Sequence, residues 1–237
     1  MTETQWLQSA QTHKMKRHLG RPLSPRKCLL TLCAYARHIE SHIVVPQVVE
    51  LVTEFETGAD SEPMMALNWR DCDSLRTELL GHLPVNNNER GVSYFILYCL
   101  HTASESGFLG ESSFEGISAV VARITHPGAR LDINRLQDST PAAVEVYRHE
   151  RAVQTALTLD TIGNPFHPVT FSPEWRTDTA IALARTMYEA REFSAMPILA
   201  DALQDVGCDS DDILNHCRGD GPHVRGCWVV DLVLGKS

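Results

Sequence analysis

The chain has 237 residues, of which 43% are hydrophobic, 22% charged and 7% aromatic, and its formal net charge at pH 7 is -9. A chain of this length can bury a substantial core, either as one large domain or as two smaller ones. The acidic balance disfavours a nucleic-acid-binding protein, which needs a basic face to displace counterions from phosphates.

The first residues, MTETQWLQSAQTHKMKRHL, lack the apolar run of a secretory signal. No stretch reaches the roughly 18 uninterrupted apolar residues of a membrane-spanning helix. The seven cysteines are scattered without the spacing of a disulfide scaffold. These features predict a cytoplasmic protein without a membrane partner, in which most cysteines are small apolar core residues.

The N-terminal segment is polar and basic, with Trp6 as an apolar anchor and a dense basic stretch at 14–27. That stretch is the one local candidate for a nucleic-acid contact. A helix is predicted to start at Ser24, because a serine caps free backbone N–H groups and Pro25 suits the first helical position. Apolar residues then recur at helical spacing as far as Ile39.

The run at 43–52 is rich in β-branched residues and could form a strand, but its spacing, with Pro46 near the start, favours a second helix to about Glu56, and Gly58 is a natural helix stop. The run VSYFILYCL, at 92–100, is the most apolar segment of the chain. It is interpreted as a buried helix, with a central strand as the alternative. A helix of about twenty residues is predicted from Thr140 to Ile162 on its apolar period. Further short helices are predicted at about 62–81 and 112–124.

The segment 163–172, GNPFHPVTFS, is the sharpest break in the chain, because its two prolines and its Asn-Pro step favour extended backbone. It divides the chain into an N-terminal helical part, 1–162, and a C-terminal helical part, 163–237, which are expected to pack as one domain. Ser172 and Pro173 predict the start of a helix that runs to about Ala190.

The stretch from Pro197 to Lys236 is divided by glycines and a proline into three short helices. Gly207 is expected to end the first of them, and Asp209 to cap the second. The third is expected to start near Pro222. The predicted fold is therefore all-α, a compact domain of about eight to ten helices.

Three C-terminal segments carry a family resemblance: GNPFHPVTFSPEW, ARTMYEAREFSAMPILADALQDVGC and ILNHCRGDGPHVRGCWVVDLVLGK. Together with Trp6 and the early segment SPRKCLLTLCAYARHI, they resemble a large family of uncharacterised planctomycete proteins. The resemblance is specific over 163–236, weaker over 1–40 and absent over 41–140. It implies a helical fold and a bacterial intracellular protein, and it implies no activity, because the family has no assigned function.

Five soft or borderline metal ligands lie within twenty residues: Cys208, His216, Cys217, His223 and Cys227. A helix starting near Pro222 would place His223 and Cys227 on one face, and Cys217 could join them through the intervening turn. His216 is left out, because adjacent helical residues point about 100° apart. The plainer interpretation is that the cysteines are core residues and no cofactor is bound. The alternative is zinc held by Cys217, His223 and Cys227.

The same residues allow a thiol nucleophile, with Cys227 or Cys217 attacking, His223 as the base and Asp231 orienting it. The apolar surroundings of Cys227 argue against this role, because a buried cysteine is usually inert. A pair of histidines, His38 and His42, has the spacing of helical zinc ligands without the glutamate of the HExxH motif.

The turn at 218–225 is a candidate contact for an anion or a partner. A helix start there would present backbone N–H groups beside Arg218, His223 and Arg225. No phosphate loop or nucleotide-binding glycine motif is found in the chain. The sequence therefore favours a non-catalytic interaction or scaffold module that binds another protein. The alternative is a metal-binding or thiol-dependent enzyme centred on Cys217, His223 and Cys227.

Overall fold

A computed structural model of the chain describes residues 2–7, 24–43, 45–60 and 129–236, together with 74, 77, 96, 118, 119, 121–123, 125 and 126. In these residues the regular structure is helical and no strand is formed, which confirms the all-α prediction. The predictions for the basic stretch before Ser24, for 92–100 and for the helices near 62–81 and 112–117 lie outside the described residues, apart from isolated positions.

Eight α-helices have their bounds within the described residues: α1 Glu3–Leu7, α2 Pro25–His38, α3 Pro46–Gly58, α4 Pro141–Ile162, α5 Asp178–Ala190, α6 Met196–Asp205, α7 Asp211–Arg218 and α8 Trp228–Leu234. Single 3-10 turns lie at Glu40–His42, Leu136–Asp138 and Pro173–Trp175. None of these helices combines the length and the hydropathy needed to cross a membrane.

The chain forms two compact units, which divide within α4. The first contains Met1 and Gln8–Thr155, and the second contains Thr2–Leu7 and Ala156–Ser237. The long helix α4 therefore contributes its first fifteen residues, 141–155, to one unit and its last seven, 156–162, to the other.

In the first unit, α2 packs against α3. The predicted cap is confirmed, because the Ser24 Oγ accepts a hydrogen bond from the Lys27 backbone N–H at 3.3 Å. Residues 28–36 of α2 are all buried, and this run includes five of the predicted core positions, namely Cys28, Leu29, Leu32, Cys33 and Ala36; Ile39, just after the helix, is buried as well. Cys28 and Cys33 are both buried, as the sequence predicted for most cysteines of the chain.

A buried polar group ties α2 to α4 within the first unit. The Tyr35 hydroxyl donates to Glu150 Oε2 at 2.8 Å, and His38 Nε2 lies 3.4 Å from the same carboxylate. Burial raises the pKa of Tyr35, and the negative charge of Glu150 raises it further. Burial alone would raise the pKa of Glu150, but hydrogen bonds with His38 and Tyr35 outweigh it, so this pKa is lowered.

The lowered pKa of Glu150 predicts an acid-sensitive contribution to stability. A depressed folded-state pKa stabilises the fold above the unfolded value of about 4.3, and this contribution is lost as pH falls through the folded pKa. Replacing Glu150 by glutamine should therefore lower the free energy of unfolding at neutral pH by about 1–3 kcal/mol and flatten its acid-side pH dependence. Urea denaturation across the acid range measures both quantities.

The matched control is Glu145→Gln, which changes an exposed glutamate on the same helix. This variant should keep both the neutral-pH stability and the acid-side slope of the parent protein. Equal slopes in the two variants would show that Glu150 contributes nothing specific.

In the second unit, α5 packs against α6 and α8, and α6 packs against α7. These four helices enclose an apolar core, whose fully or nearly fully buried members include Ala184, Met187, Leu199, Leu203, Ile213, Cys217, Val229 and Val233. Both α7 and α8 contribute buried side chains to this core, so the core holds the two helices together.

Two predicted helix starts in this unit are wrong. The Ser172–Glu174 signal gives only a 3-10 turn, and α5 begins at Asp178, where the Thr177 Oγ1 accepts from the Ala180 N–H at 3.3 Å. The last helix begins at Trp228 instead of near Pro222. Gly221 and Gly226 have φ values of 85° and 97°, which a right-handed helix does not contain, so the chain remains a loop there.

The caps around Gly207 are partly as predicted. Gly207, with φ 89°, follows the end of α6, as expected for a helix stop. The cap of α7 is Ser210 and not Asp209, because the Ser210 Oγ accepts from the Ile213 N–H at 3.5 Å. Asp211 and Asp212 occupy the first turn of α7, where their negative charge interacts favourably with the positive end of the helix dipole.

The N-terminal helix α1 belongs to the second unit. The Trp6 side chain is fully buried, and its ring meets the Phe166 ring edge to face at 6.4 Å between centroids. The Asn164 side-chain amide donates to Glu3 Oε1 at 2.7 Å. The segment 163–172, which the sequence identified as a break, is thus held in place by the start of the chain.

Candidate metal centre

Four side chains from separate parts of the second unit meet at one point. They are Asp160 on α4, His216 on α7, His223 in the following loop and Cys227 at the N-cap of α8. One ligand atom from each lies within 4.8 Å of all the others. This is the one group of its kind among the residues that the structure describes.

The closest contacts within this group, hereafter the Asp-His-His-Cys cluster, have hydrogen-bonding distances. Asp160 Oδ1 lies 3.2 Å from His216 Nε2 and 3.0 Å from His223 Nδ1. His216 Nε2 lies 3.2 Å from Cys227 Sγ. The two imidazole rings meet edge to face, with 4.9 Å between their centroids.

Local structure explains how residues so far apart in sequence come together. Asp160 lies in the last turn of α4, and its side chain is buried. Gly219 ends α7, and the loop that follows returns along the helix, so that His223 Nε2 lies 3.3 Å from the Gly219 carbonyl oxygen. The loop then ends at Cys227, which is fully buried where α8 begins.

Backbone groups orient two members of the cluster. The Val224 backbone N–H donates to Asp160 Oδ2 at 3.0 Å, so the other carboxylate oxygen, Oδ1, faces the two histidines. The contact of His223 Nε2 with the Gly219 carbonyl assigns a proton to that nitrogen, because a carbonyl oxygen only accepts. The Nδ1 atom of His223 is thereby directed at the centre of the cluster.

The electrostatics of the cluster favour an ionised Asp160 carboxylate beside a protonated His223. Burial alone would raise the pKa of Asp160, but hydrogen bonds with His216 and His223 outweigh it and lower this pKa. Burial would lower the pKa of His223, but its hydrogen bond with Asp160 raises it. Burial raises the pKa of Cys227 well above its ordinary value, and the Asp160 charge adds to the effect.

The three predicted metal ligands do not all belong to the cluster. His223 and Cys227 are members, whereas Cys217 lies in the apolar core beside it, where burial raises the pKa of its thiol to about 12. The expectation that adjacent residues His216 and Cys217 cannot share one ion agrees with this arrangement, but the residue that reaches the cluster is His216. The apolar face of α7 turns Cys217 into the core, together with Ile213.

The three residues predicted to contact an anion or a partner have three different neighbours. Arg218 donates to Asp201 Oδ1 at 3.0 Å and to Gln204 Oε1 at 2.6 Å. The Arg225 guanidinium lies over the Tyr188 ring, 4.4 Å from its centroid. With His223 directed at Asp160, these side chains do not converge on one anion position.

Asp160 was missed by the sequence reasoning, which looked for ligands near the C-terminal cysteines. A signal for it does exist, because it is the only Asp, Glu, Lys or Arg between Arg151 and Glu174. Charged residues are almost never fully buried unless they are paired, so Asp160, which the fold buries, needs a partner. Asp231, the residue proposed to orient His223, is not a member of the cluster; His223 pairs with Asp160 instead. His38 and His42, whose spacing the sequence analysis also noted, do not belong to the ligand group, and His38 contacts Glu150.

A pocket of about 360 Å³ lies beside the cluster, on the outer side of His216. Its lining includes the Trp228 ring, whose centroid lies 5.1 Å from that of His216. Gly163 backs onto the same ring, and a Cβ atom at this position would lie 3.2 Å from Trp228 Cγ. The pocket is thus formed by α1, the end of α4, the segment that follows it, α7 and the start of α8.

Comparison with known proteins gave no match to this chain among family models, curated proteins or solved structures. The resemblance to the planctomycete family therefore stays a prediction from the sequence.

Proposed function

We propose that this protein binds one divalent transition-metal ion of the zinc type through Asp160, His216, His223 and Cys227. The observation that carries the proposal is the convergence of four ligand atoms within 4.8 Å. Around a tetrahedral zinc ion with bonds of about 2.0–2.3 Å, neighbouring ligand atoms lie roughly 3.3–3.6 Å apart. The three shortest contacts, of 3.0–3.2 Å, would open by a few tenths of an ångström around an ion, and the widest pairs, which lie within 4.8 Å, would close toward the same spacing.

The ligand types and their charges fit a divalent ion of intermediate softness. Two imidazole nitrogens, one thiolate and one carboxylate form a mixed donor set of the kind that zinc accepts. The thiolate of Cys227 and the carboxylate of Asp160 together neutralise a charge of +2. Such neutrality matters because both side chains are almost completely buried, and an uncompensated charge there is costly.

The contacts behind the ligands also fit metal binding. Metal-bound histidines usually donate their other ring N–H to a carbonyl or a carboxylate, which fixes the ring. His223 has such a partner in the Gly219 carbonyl, and Asp160 is fixed by the Val224 N–H. A bound ion would join the end of α4, α7 and the start of α8, so binding should also stabilise this unit.

A thiol-dependent reaction is less well supported by the same geometry. The thiolate is the reactive form of cysteine, and burial raises the pKa of Cys227 well above its ordinary value. A cation beside the sulfur would reverse this effect, because coordination deprotonates a thiol outright. The interaction or scaffold role stays a prediction, and a structural ion in the second unit is compatible with it.

The test compares two buried cysteines of the same unit. Cys227→Ala removes a ligand, whereas Cys217→Ala removes a neighbouring core thiol that is equally inaccessible. The parent protein and Cys217→Ala should each retain about one zinc per chain after dialysis. Cys227→Ala should lose zinc affinity by more than the roughly 100-fold that is usual for groups behind the ligands.

Two measurements check this prediction: metal analysis of the dialysed proteins and the thiolate-to-cobalt absorption of Co(II)-loaded samples. The Cys227 variant should lack that absorption, and the Cys217 variant should keep it. Equal zinc retention by both variants, or no retention by the folded parent protein, would contradict the proposal.

A further inference from the structure

His216 is held differently from the other members of the cluster. Asp160 and His223 are fixed by backbone partners, and Cys227 is fully buried at the N-cap of α8. His216 makes its polar contacts through Nε2, and within the described residues its Nδ1 atom has no hydrogen-bond partner. Its side chain is also the most accessible of the four, 19% exposed compared with 9% for His223.

His216 also separates the cluster from the neighbouring pocket. Its Nε2 atom faces Asp160 and Cys227, while the ring lines the pocket of about 360 Å³ beside Trp228. Removing this ring would connect the pocket to the metal position. His223, in contrast, is not part of the pocket lining.

We infer that His216 is the exchangeable ligand of the ion, and that a small nitrogen donor entering through the pocket can take its place. This inference rests on the proposed metal binding at the same cluster. In the exchange, His216 Nε2 leaves the ion, and a neutral donor nitrogen occupies the vacated coordination position. Asp160, His223 and Cys227 hold the ion throughout. Three protein ligands with one position for an external molecule are the arrangement of catalytic zinc sites.

The pocket lining defines the class of external ligand. The carboxylates of Glu3 and Asp212 lie in the lining, where His167 contacts them at 3.3 and 3.6 Å, and no lysine or arginine lines the pocket among the described residues. These charges disfavour anions and favour neutral or cationic molecules. The ring of Trp228 and the aliphatic side chains of Leu159 and Val169 suit a flat, partly apolar body. A heteroaromatic amine the size of imidazole meets these requirements.

The test is chemical rescue with imidazole. In His216→Ala, the lost ring leaves a gap that opens to the pocket, so imidazole can supply the missing nitrogen. The variant should lose less zinc affinity than Cys227→Ala, and imidazole should restore it. His223→Ala should lose more affinity, and imidazole should not restore it, because that gap is enclosed. Co(II) absorption and competition with a zinc-binding dye measure the affinities, and far-ultraviolet circular dichroism checks the fold.

The outcomes separate this inference from the proposed function. If the parent protein binds no zinc, the proposed function fails and the inference fails with it. If the parent binds zinc but His216→Ala is not rescued, or is rescued no better than His223→Ala, only the inference fails. If His216→Ala does not fold, His216→Gln, which preserves the bulk of the side chain, is measured in its place. Failure of both His216 variants to fold would also overturn the inference, because it would make His216 a structural residue.

Discussion

Replacing Asp160 by alanine should lower the free energy of unfolding of the metal-free protein by about 3–5 kcal/mol and abolish its binding of zinc. The carboxylate is buried and accepts contacts from His216, His223 and the Val224 N–H. Removing it leaves three polar groups in a poorly hydrated site without their acceptor, which is the costly way to break a buried ion pair. Urea denaturation in the presence of a chelator measures the loss.

The control for this prediction is Asp201→Ala. Asp201 also pairs with a basic side chain, Arg218, but its own side chain is 72% exposed. Exposed ion pairs contribute less than about 1 kcal/mol, so this variant should remain close to the parent protein in stability and in zinc binding. If the two substitutions had the same effect, the buried contacts of Asp160 would contribute nothing specific to stability or to zinc binding.

Replacing Trp6 by alanine should cost a similar amount, about 3–5 kcal/mol, for a different physical reason. Its side chain is fully buried in a unit whose other members begin at residue 156, and its ring packs against Phe166. The loss combines apolar surface returned to water with an unfilled cavity. It should also free Glu3 from Asn164, because α1 has only five residues and depends on this anchor.

Thermal and urea unfolding of Trp6→Ala should be compared with Thr4→Ala, which changes an exposed residue of the same helix. Limited proteolysis provides a second measurement, in which cleavage near the N-terminus should become faster only in the Trp6 variant. A Trp6 variant as stable as the Thr4 variant would mean that the N-terminal helix contributes nothing to the second unit.

The helical class and several helix ends could be predicted because they depend on local chemistry. Ser24 and Pro25 form a start signal that needs no tertiary partner, and Gly207 and Gly58 similarly mark helix ends. The starts of α5 and α8 could not be predicted in the same way. Ser172 and Thr177 are equally suitable residues for a helix N-cap. The backbone conformation of the folded loop decides that the helix begins after Thr177.

The candidate site was predictable in part, for a related reason. Ligand spacing within a short window identified His223 and Cys227, and it favoured Cys217 because a helix was expected at Pro222. The loop that replaces this helix carries His223 to the cluster, and α7 turns Cys217 into the core and His216 toward Asp160 instead. Asp160 is 56 positions from His216, so their contact depends on how α4 packs in the second unit. Periodicity and spacing describe one element at a time and carry no information on such a distant contact.

The measurement that tests the metal site most directly is X-ray absorption at the zinc edge of the zinc-loaded protein. The Asp-His-His-Cys cluster predicts a first shell of one sulfur at about 2.3 Å and three nitrogen or oxygen atoms at about 2.0–2.2 Å. In Cys227→Ala the sulfur contribution should disappear, and in Cys217→Ala it should remain. A shell with no sulfur, a shell with two sulfurs or a sulfur that persists without Cys227 would contradict the proposed site.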